Sequence, residues 1–324
     1  MQIVFLDRNT IGEDIDVTLF QQFGKLTIYS FTEEEHVAER ISDADIIITN
    51  KGRLNAATLK DAHPRLICLT ATGVDNVDLS YCAGKGIAVC NMRGYSTESV
   101  VQHTFAMLFS LMEHIPLYND YTQTRRYIND ASFRHLSWTF HEISGKNFGI
   151  VGMGAIGTRV AEVADAFGCK VYYWSSTDQD RNTSYTRLDF NTLLETCDIL
   201  SIHSPLTPKT RHLFGTEQFR RMKRDAVLIN AGRGDIIVEE DLAAAIETGL
   251  IGGAAVDVLS KEPMAKENPL ARILGNPRFM LTPHIAWAAV EARQRCMQEV
   301  FYNIEAFLNG DTRNRVDTIP PLIL

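Results

Sequence analysis

Phe148-Gly149-Ile150-Val151-Gly152-Met153-Gly154-Ala155-Ile156-Gly157 is the stretch on which the fold turns. Its first residues read as a buried strand, and the glycines follow in the spacing G-x-G-x-x-G. Glycines so spaced also serve ordinary turns, so the surroundings decide. Here the run opens a helical pattern carried by Val160, Val163, Ala164 and Phe167, and a further apolar strand follows at Val171 to Trp174. Strand, glycine turn, helix and strand together form the setting in which backbone N–H groups at a helix N-terminus cradle a dinucleotide pyrophosphate. Gly152, Gly154 and Gly157 are therefore read as a phosphate cradle.

Downstream, strands are expected at Ile199 to His203, Ala226 to Asn230, Ala254 to Val258 and Phe279 to Leu281, and a closing helix from about Val290 to Leu308. Upstream, five short apolar runs begin at Ile3, Leu26, Ile46, Leu66 and Ile87, with helical segments expected between them at Glu33 to Ile41 and Ala56 to Ala62. Near-continuous apolar strands alternating with helices signal parallel sheets covered on both faces. The expected fold class is thus α/β, with two doubly wound parallel sheets. A long helix is expected from about Thr97, ended by Pro116; Tyr118 to Ile143 reads as an irregular aromatic arm that packs on something else.

An acid that accepts the ribose 2′-OH of NAD is expected about 20 residues past such a cradle. Eighteen past Gly157 stands Ser175, followed by Ser176 and Thr177; Asp178 and Asp180 come later, and Arg181 is the nearest cation. NAD and NADP both stay open. Three polar groups punctuate later strand ends: Arg233 in Asn230-Ala231-Gly232-Arg233-Gly234, Glu262 five residues after Asp257, and His284 in Thr282-Pro283-His284. Ligands of open parallel sheets sit beyond the carboxyl ends of the strands. An Arg to clamp a carboxylate and keto oxygen, a His to pass a proton and a Glu to orient that His suit reduction of a 2-keto acid.

Composition limits the alternatives. The 324 residues are 45% hydrophobic and 22% charged, which excludes disordered and disulfide-scaffold classes. Against 32 Lys and Arg stand 40 Asp and Glu, a formal charge of −8, so nucleic-acid binding is not expected and any anion must be held locally. The six cysteines show neither C-x-x-C nor metal spacing and read as small hydrophobes of a reducing cytosol, so no metal is expected. With no leader pattern and no membrane-length apolar run, a cytoplasmic protein without a membrane partner is expected.

With Ala71 to Asp78, the glycine run, His203-Ser204-Pro205-Leu206-Thr207, Asn230 to Gly234, Asp257 to Pro263 and Thr282-Pro283-His284, the chain resembles the D-2-hydroxyacid dehydrogenase family over nearly its whole length. Gln102 to Ala106 and Ile285 to Ala288 resemble its glycerate dehydrogenase (hydroxypyruvate reductase) branch. The resemblance implies a Rossmann cofactor domain, residues 98–289, inserted into a flavodoxin-like substrate domain of residues 1–97 and 290–324, with a cleft between them. It implies that His284 is the acid/base, Glu262 its partner and Arg233 a substrate ligand. Asn50, Lys51, Thr72, Gly73 and Val74 would meet the substrate, and Trp287 would wall its pocket. Ala155, Ile156, Ser175, Ser176, His203, Ser204, Pro205, Thr210, Ala231, Gly232, Asp257, Ala286 and Thr104 would line the cofactor with the glycines, Arg233 and His284. A homodimer built through the arm at about 118–143 is also implied. Rival readings are a nucleotide-sensing, corepressor-like binding protein, and a phosphoglycerate or formate dehydrogenase; only sixteen residues follow Leu308, too few for an appended regulatory domain.

Overall fold

The computed structural model describes residues 1–177 and 184–318. Their packing divides the chain into two units, Met1–Ser96 with the segment from Ala288, and Thr97–Trp287. In the first, β1 (Gln2–Phe5), β2 (Lys25–Ile28), β3 (Ile46–Thr49), β4 (Leu66–Leu69) and β5 (Ala88–Cys90) form one parallel sheet in the order β2-β1-β3-β4-β5. Every residue of β3, β4 and β5 is buried, as expected of a parallel sheet covered on both faces. The helix Val290–Leu308 supplies part of that cover through Ala292, Cys296, Met297, Val300 and Ile304, one stripe at helical spacing.

The second unit holds β6 (Asn147–Val151), β7 (Lys170–Trp174), β8 (Thr186–Arg187), β9 (Ile199–Ile202), β10 (Val227–Asn230), β11 (Gly253–Val256) and β12 (Phe279–Leu281). All pair in parallel, in the order β12-β11-β10-β9-β6-β7-β8. Phe148 of β6 pairs with Val171 on one side and Ile199 on the other. The strand order reverses there, between β6 and β9, which is the switch point where a Rossmann sheet opens its ligand crevice. The helix Thr97–Met112 buries Val101, Phe105, Met107, Leu108 and Leu111 against one face of this sheet.

Four expectations of local structure fail. Ala56 to Ala62 is a run of turns: the Asn55 side chain caps it, accepting from Ala57 N and Thr58 N, and Leu59 N reaches Asn55 O, but no further helical turn propagates. Glu33 to Ile41 shrinks to a 3-10 turn and the single helical turn Val37–Arg40. The long helix stops at Met112 and His114 turns left-handed (φ 55°), so Pro116 opens a new helix, Ile115–Gln123, where its fixed φ suits the first turn. The stretch from Tyr118 is accordingly helical to Gln123, with a 3-10 turn at Arg126–Asn129. The two-residue edge strand β8 has no sequence signature.

All six cysteines are free and buried. Burial pushes the thiols of Cys82 and Cys169 up to about 11 and those of Cys90 and Cys197 to about 12. They stay protonated and inert, as small core hydrophobes should. No helix among the described residues is long and apolar enough to cross a membrane.

Candidate active site

The three cradle glycines meet three different demands. Gly152 leaves β6 with φ +103°, and a Cβ there would meet Ser204 N at 2.7 Å. Ser204 itself is tied down, its Oγ donating to Val151 O at 3.1 Å. A Cβ on Gly157 would overlap the Gly152 carbonyl oxygen, so only glycine lets the helix Ala155–Ala166 pack that close to the strand. At Gly154, the N-cap, a Cβ would meet nothing within 4 Å, and no side chain caps the helix. Its first N–H groups and the positive end of its dipole are thus turned to open space, where a pyrophosphate fits. The cradle suits the dinucleotide its spacing predicts.

Other residues assigned to the cofactor fall into two groups. Ser175, Ser176, His203, Pro205, Ala231 and Gly232 stand at or just beyond the carboxyl ends of β7, β9 and β10. His203 is neutral: burial pushes its imidazole down to about 3, and its Nε2 lies 2.8 Å from Ser201 Oγ. Thr104 and Thr210 are different, since neither has exposed surface. Thr104 Oγ1 donates back to Val100 O within its own helix (2.8 Å), and Thr210 Oγ1 donates to Pro205 O (2.7 Å) while accepting from Thr207 N. Thr210 is therefore a staple of the loop that follows β9, and Thr104 is core.

Adjacent strands β10, β11 and β12 deliver Arg233, Glu262 and His284. The turn that carries Arg233 is fixed by the buried Asn230: its Oδ1 accepts from Gly232 N and its Nδ2 donates to Arg233 O, both at 3.0 Å. Arg233 makes no ion pair among the described residues; Nη1 rests on Gly232 O at 2.9 Å. Gly234 packs on the loop after β11 so tightly that a Cβ would overlap the backbone of Leu259 and Ser260. That loop carries Glu262, whose Oε1 accepts from Leu259 N (3.0 Å) and whose Oε2 lies 2.7 Å from His284 Nδ1. With Nδ1 donating to the carboxylate, Nε2 is the ring atom left to exchange a proton.

His284 is held in a left-handed conformation (φ 56°) that non-glycine residues seldom adopt. Asp257 enforces it. Its carbonyl accepts from His284 N (2.8 Å), and its carboxylate accepts from Thr282 Oγ1 (2.6 Å), Ile285 N (2.9 Å) and Ala286 N (2.8 Å). His103, on the helix Thr97–Met112, reaches the same group, with Nε2 3.5 Å from Asp257 Oδ1 and 3.0 Å from Thr282 Oγ1. Burial alone would raise this carboxyl, but donors from His103, Thr282, Ala286 and Ile285 hold it below the ordinary range. The Asp257 side chain has no exposed surface. Asp257 is thus a positioning group for the His284 turn.

In the other unit, the buried Asp7 organises the loop after β3. Its carboxylate accepts from Thr49 Oγ1 (2.9 Å), Asn50 N (2.9 Å) and Lys51 N (2.7 Å). The loop after β4 holds Thr72, Gly73 and Val74, with Asn91 Nδ2 donating to Thr72 O (2.8 Å) and Val77 N donating to Val74 O (3.0 Å). Both loops lie at the carboxyl ends of their strands.

Residues 105–286 match the family described as D-isomer specific 2-hydroxyacid dehydrogenase, NAD binding domain. The chain belongs to the D-2-hydroxyacid dehydrogenase family. The dehydrogenase is 35% identical to a glycerate dehydrogenase of Methylorubrum extorquens, over 98% of this chain and 99% of that one. It is 34% identical to a hydroxypyruvate reductase of Blautia hydrogenotrophica, over 98% and 100%. Among solved structures, an acyclic imino acid reductase in complex with NADPH and D-Arg superimposes with a TM-score of 0.87 at 28% identity, over 98% and 100% of the two chains. The dehydrogenase is therefore an NAD(P)-dependent oxidoreductase acting on the CH–OH group of 2-hydroxy acids. Sequence reading missed the groups that hold its site in shape: Asn230, His103 and Thr282. Only Asn230 carried a signal, an Asn closing an apolar strand just before a glycine turn.

Proposed function

We propose that the dehydrogenase interconverts small 2-keto acids and their D-2-hydroxy acids, with hydroxypyruvate and glyoxylate as the keto substrates. The observation that carries the chemistry is the His284–Glu262 pair, 2.7 Å between Nδ1 and Oε2, delivered by the two strands that follow, in the sheet, the one carrying Arg233. The substrate class is supported by relatives named glycerate dehydrogenase, hydroxypyruvate reductase and glyoxylate reductase.

When bound, the nicotinamide supplies hydride to the carbonyl carbon. The chain supplies the rest. Arg233 presents a planar fork to the carboxylate and keto oxygen, fixing the carbonyl in one orientation. Protonated His284 gives its Nε2 proton to the keto oxygen as negative charge develops there, and Glu262 stabilises the imidazolium from Nδ1. In the opposite direction the same Nε2, now neutral, takes the hydroxyl proton. Asp257 keeps the ring in place throughout. On the family resemblance we assign Asn50, Lys51 and the Thr72–Val74 amides to the substrate carboxylate, and Trp287 to the wall beside it.

The test is a panel of hydroxypyruvate, glyoxylate, pyruvate and phosphohydroxypyruvate, each with NADH and NADPH. The highest kcat/KM is expected for hydroxypyruvate, followed by glyoxylate. A preference for phosphohydroxypyruvate would move the protein to the phosphoglycerate class, and binding without turnover of any acid would make it a nucleotide sensor. Arg233→Lys should lower kcat/KM by about 10- to 100-fold, because a point charge cannot reproduce the bidentate clamp. An unchanged KM and kcat would contradict that role.

We also propose that the dehydrogenase is a homodimer built through the arm at 118–143. Ile128, Phe133 and Leu136 are 75%, 80% and 71% exposed, a density of apolar surface unusual for a free face. An apolar concavity of about 310 Å³ is lined by Phe140 of the same arm together with Phe109, Met112 and Phe167. Sedimentation equilibrium should give twice the 36.4 kDa chain mass, and Ile128→Glu with Phe133→Glu should halve it. A monomeric parent protein would sink the proposal.

A further inference from the structure

The end of β7 is where a Rossmann sheet meets the adenosine ribose, and NAD-specific sites place a carboxylate there to accept its 2′-OH. This chain has Ser175 instead, buried to 8% exposure. The turn that follows is built of hydroxyls: Ser175 Oγ lies 3.2 Å from Thr177 Oγ1 and accepts from Thr177 N at 3.4 Å. Asp178 and Asp180, the nearest acids in sequence, and Arg181 lie outside the described residues.

Two cations from separate elements converge on the same turn. Arg187 of β8 donates through Nη2 to Thr177 O (2.7 Å) and Ser175 O (3.3 Å). Lys209, from the loop after β9, places Nζ 3.4 Å from Ser176 O. Both side chains are exposed, and neither makes an ion pair among the described residues. Each has donors to spare, since among the described residues only Nη2 of the Arg187 fork and one of the three Lys209 donors are engaged. In a protein of charge −8, two cations held against one turn by backbone carbonyls form a local positive site.

We infer that Ser175, Ser176, Arg187 and Lys209 form a 2′-phosphate site and that the dehydrogenase prefers NADP(H) to NAD(H). The inference rests on the dinucleotide reading of the glycine cradle and adds the chemistry of the ribose end. Hydroxyls donate to phosphate oxygens without repelling them, and the guanidinium and ammonium neutralise the two negative charges that distinguish NADP(H). An NAD(H) ribose gains little there, for no carboxylate among the described residues meets the turn to accept its 2′-OH.

The test is binding, read by calorimetry on the full chain without any keto acid. NADPH should bind at least about tenfold more tightly than NADH, and 2′,5′-ADP more tightly than 5′-ADP by a similar factor, as expected of added charge-assisted hydrogen bonds. The advantage should shrink as salt is raised. Arg187→Ala and Lys209→Ala should each reduce the NADPH-to-NADH ratio several-fold, and Ser175→Asp should invert it. Equal or tighter binding of NADH by the parent protein, or a ratio unmoved in both alanine variants, would overturn the 2′-phosphate site while leaving the cradle intact. Failure of both dinucleotides to bind would overturn the cradle reading, and this inference with it.

Discussion

Replacement of His284 by alanine is expected to lower kcat by about 10²–10⁴, the usual worth of a positioned general acid–base. The expectation rests on geometry rather than on the presence of a histidine. Nδ1 is engaged with Glu262 Oε2 at 2.7 Å, so Nε2 alone is available for the proton, and the turn is locked by Asp257 through His284 N, Ile285 N and Ala286 N. Because the clamp uses backbone groups and not the imidazole, the variant should fold with its cradle intact. Single-turnover rates and calorimetric cofactor affinities measured together would separate the two effects. A kcat loss under about tenfold would remove His284 from the reaction. Glu262→Gln should fall between parent and His284→Ala, since an amide can still accept from Nδ1–H but cannot stabilise an imidazolium.

Gly234→Ala is expected to cost about 10² or more in kcat/KM although it changes no reacting group. The added methyl would overlap Leu259 and Ser260 backbone atoms, which cannot swing aside as a side chain would. One of the two loops must retreat by roughly 1.5–2 Å to reach van der Waals distance, moving Arg233 away from Glu262 and His284. Misplacement on that scale is enough to lose about a hundredfold. Gly84→Ala is the control: its Cβ meets nothing within 4 Å, and activity should not change. A Gly234→Ala protein with parental kcat/KM would show that the packing of these loops does not set the site.

These two variants also mark what can be read from sequence alone. The apolar runs at β3, β4, β9 and β10 were legible because both faces of a parallel sheet are buried, leaving little ambiguity of period. Arg233, Glu262 and His284 were legible because each follows a strand, and the topology brings consecutive strand ends together. The constraint at Gly234 was not, because it depends on a backbone 25 residues away in sequence meeting it in space. Nor was the His103–Asp257 contact, which spans more than 150 residues and joins a helix to a strand end. Nor were the inward directions of the Thr104 and Thr210 hydroxyls, because family resemblance fixes a position and not the direction of a side chain. The reversal at Pro116 has a similar origin: the sequence pattern shows a break, but the left-handed His114 decides that a helix restarts there.

The division of the chain bears on the order in which it folds. Thr97–Trp287 is one continuous segment, whereas the unit holding β1 to β5 is finished only by the segment from Ala288. Its last strands wait for Val316 N to reach Val89 O and for Cys296 to settle against Thr70 O. At a synthesis rate of ~5–20 residues per second, the intervening stretch occupies the ribosome for about 10–40 s. For that time the amino-terminal sheet lacks the helix Val290–Leu308 that covers part of it, while the inserted segment can already close its own core. The nascent chain thus exposes its first-made strands longest, and these, rather than the catalytic segment, are where a chaperone would be needed.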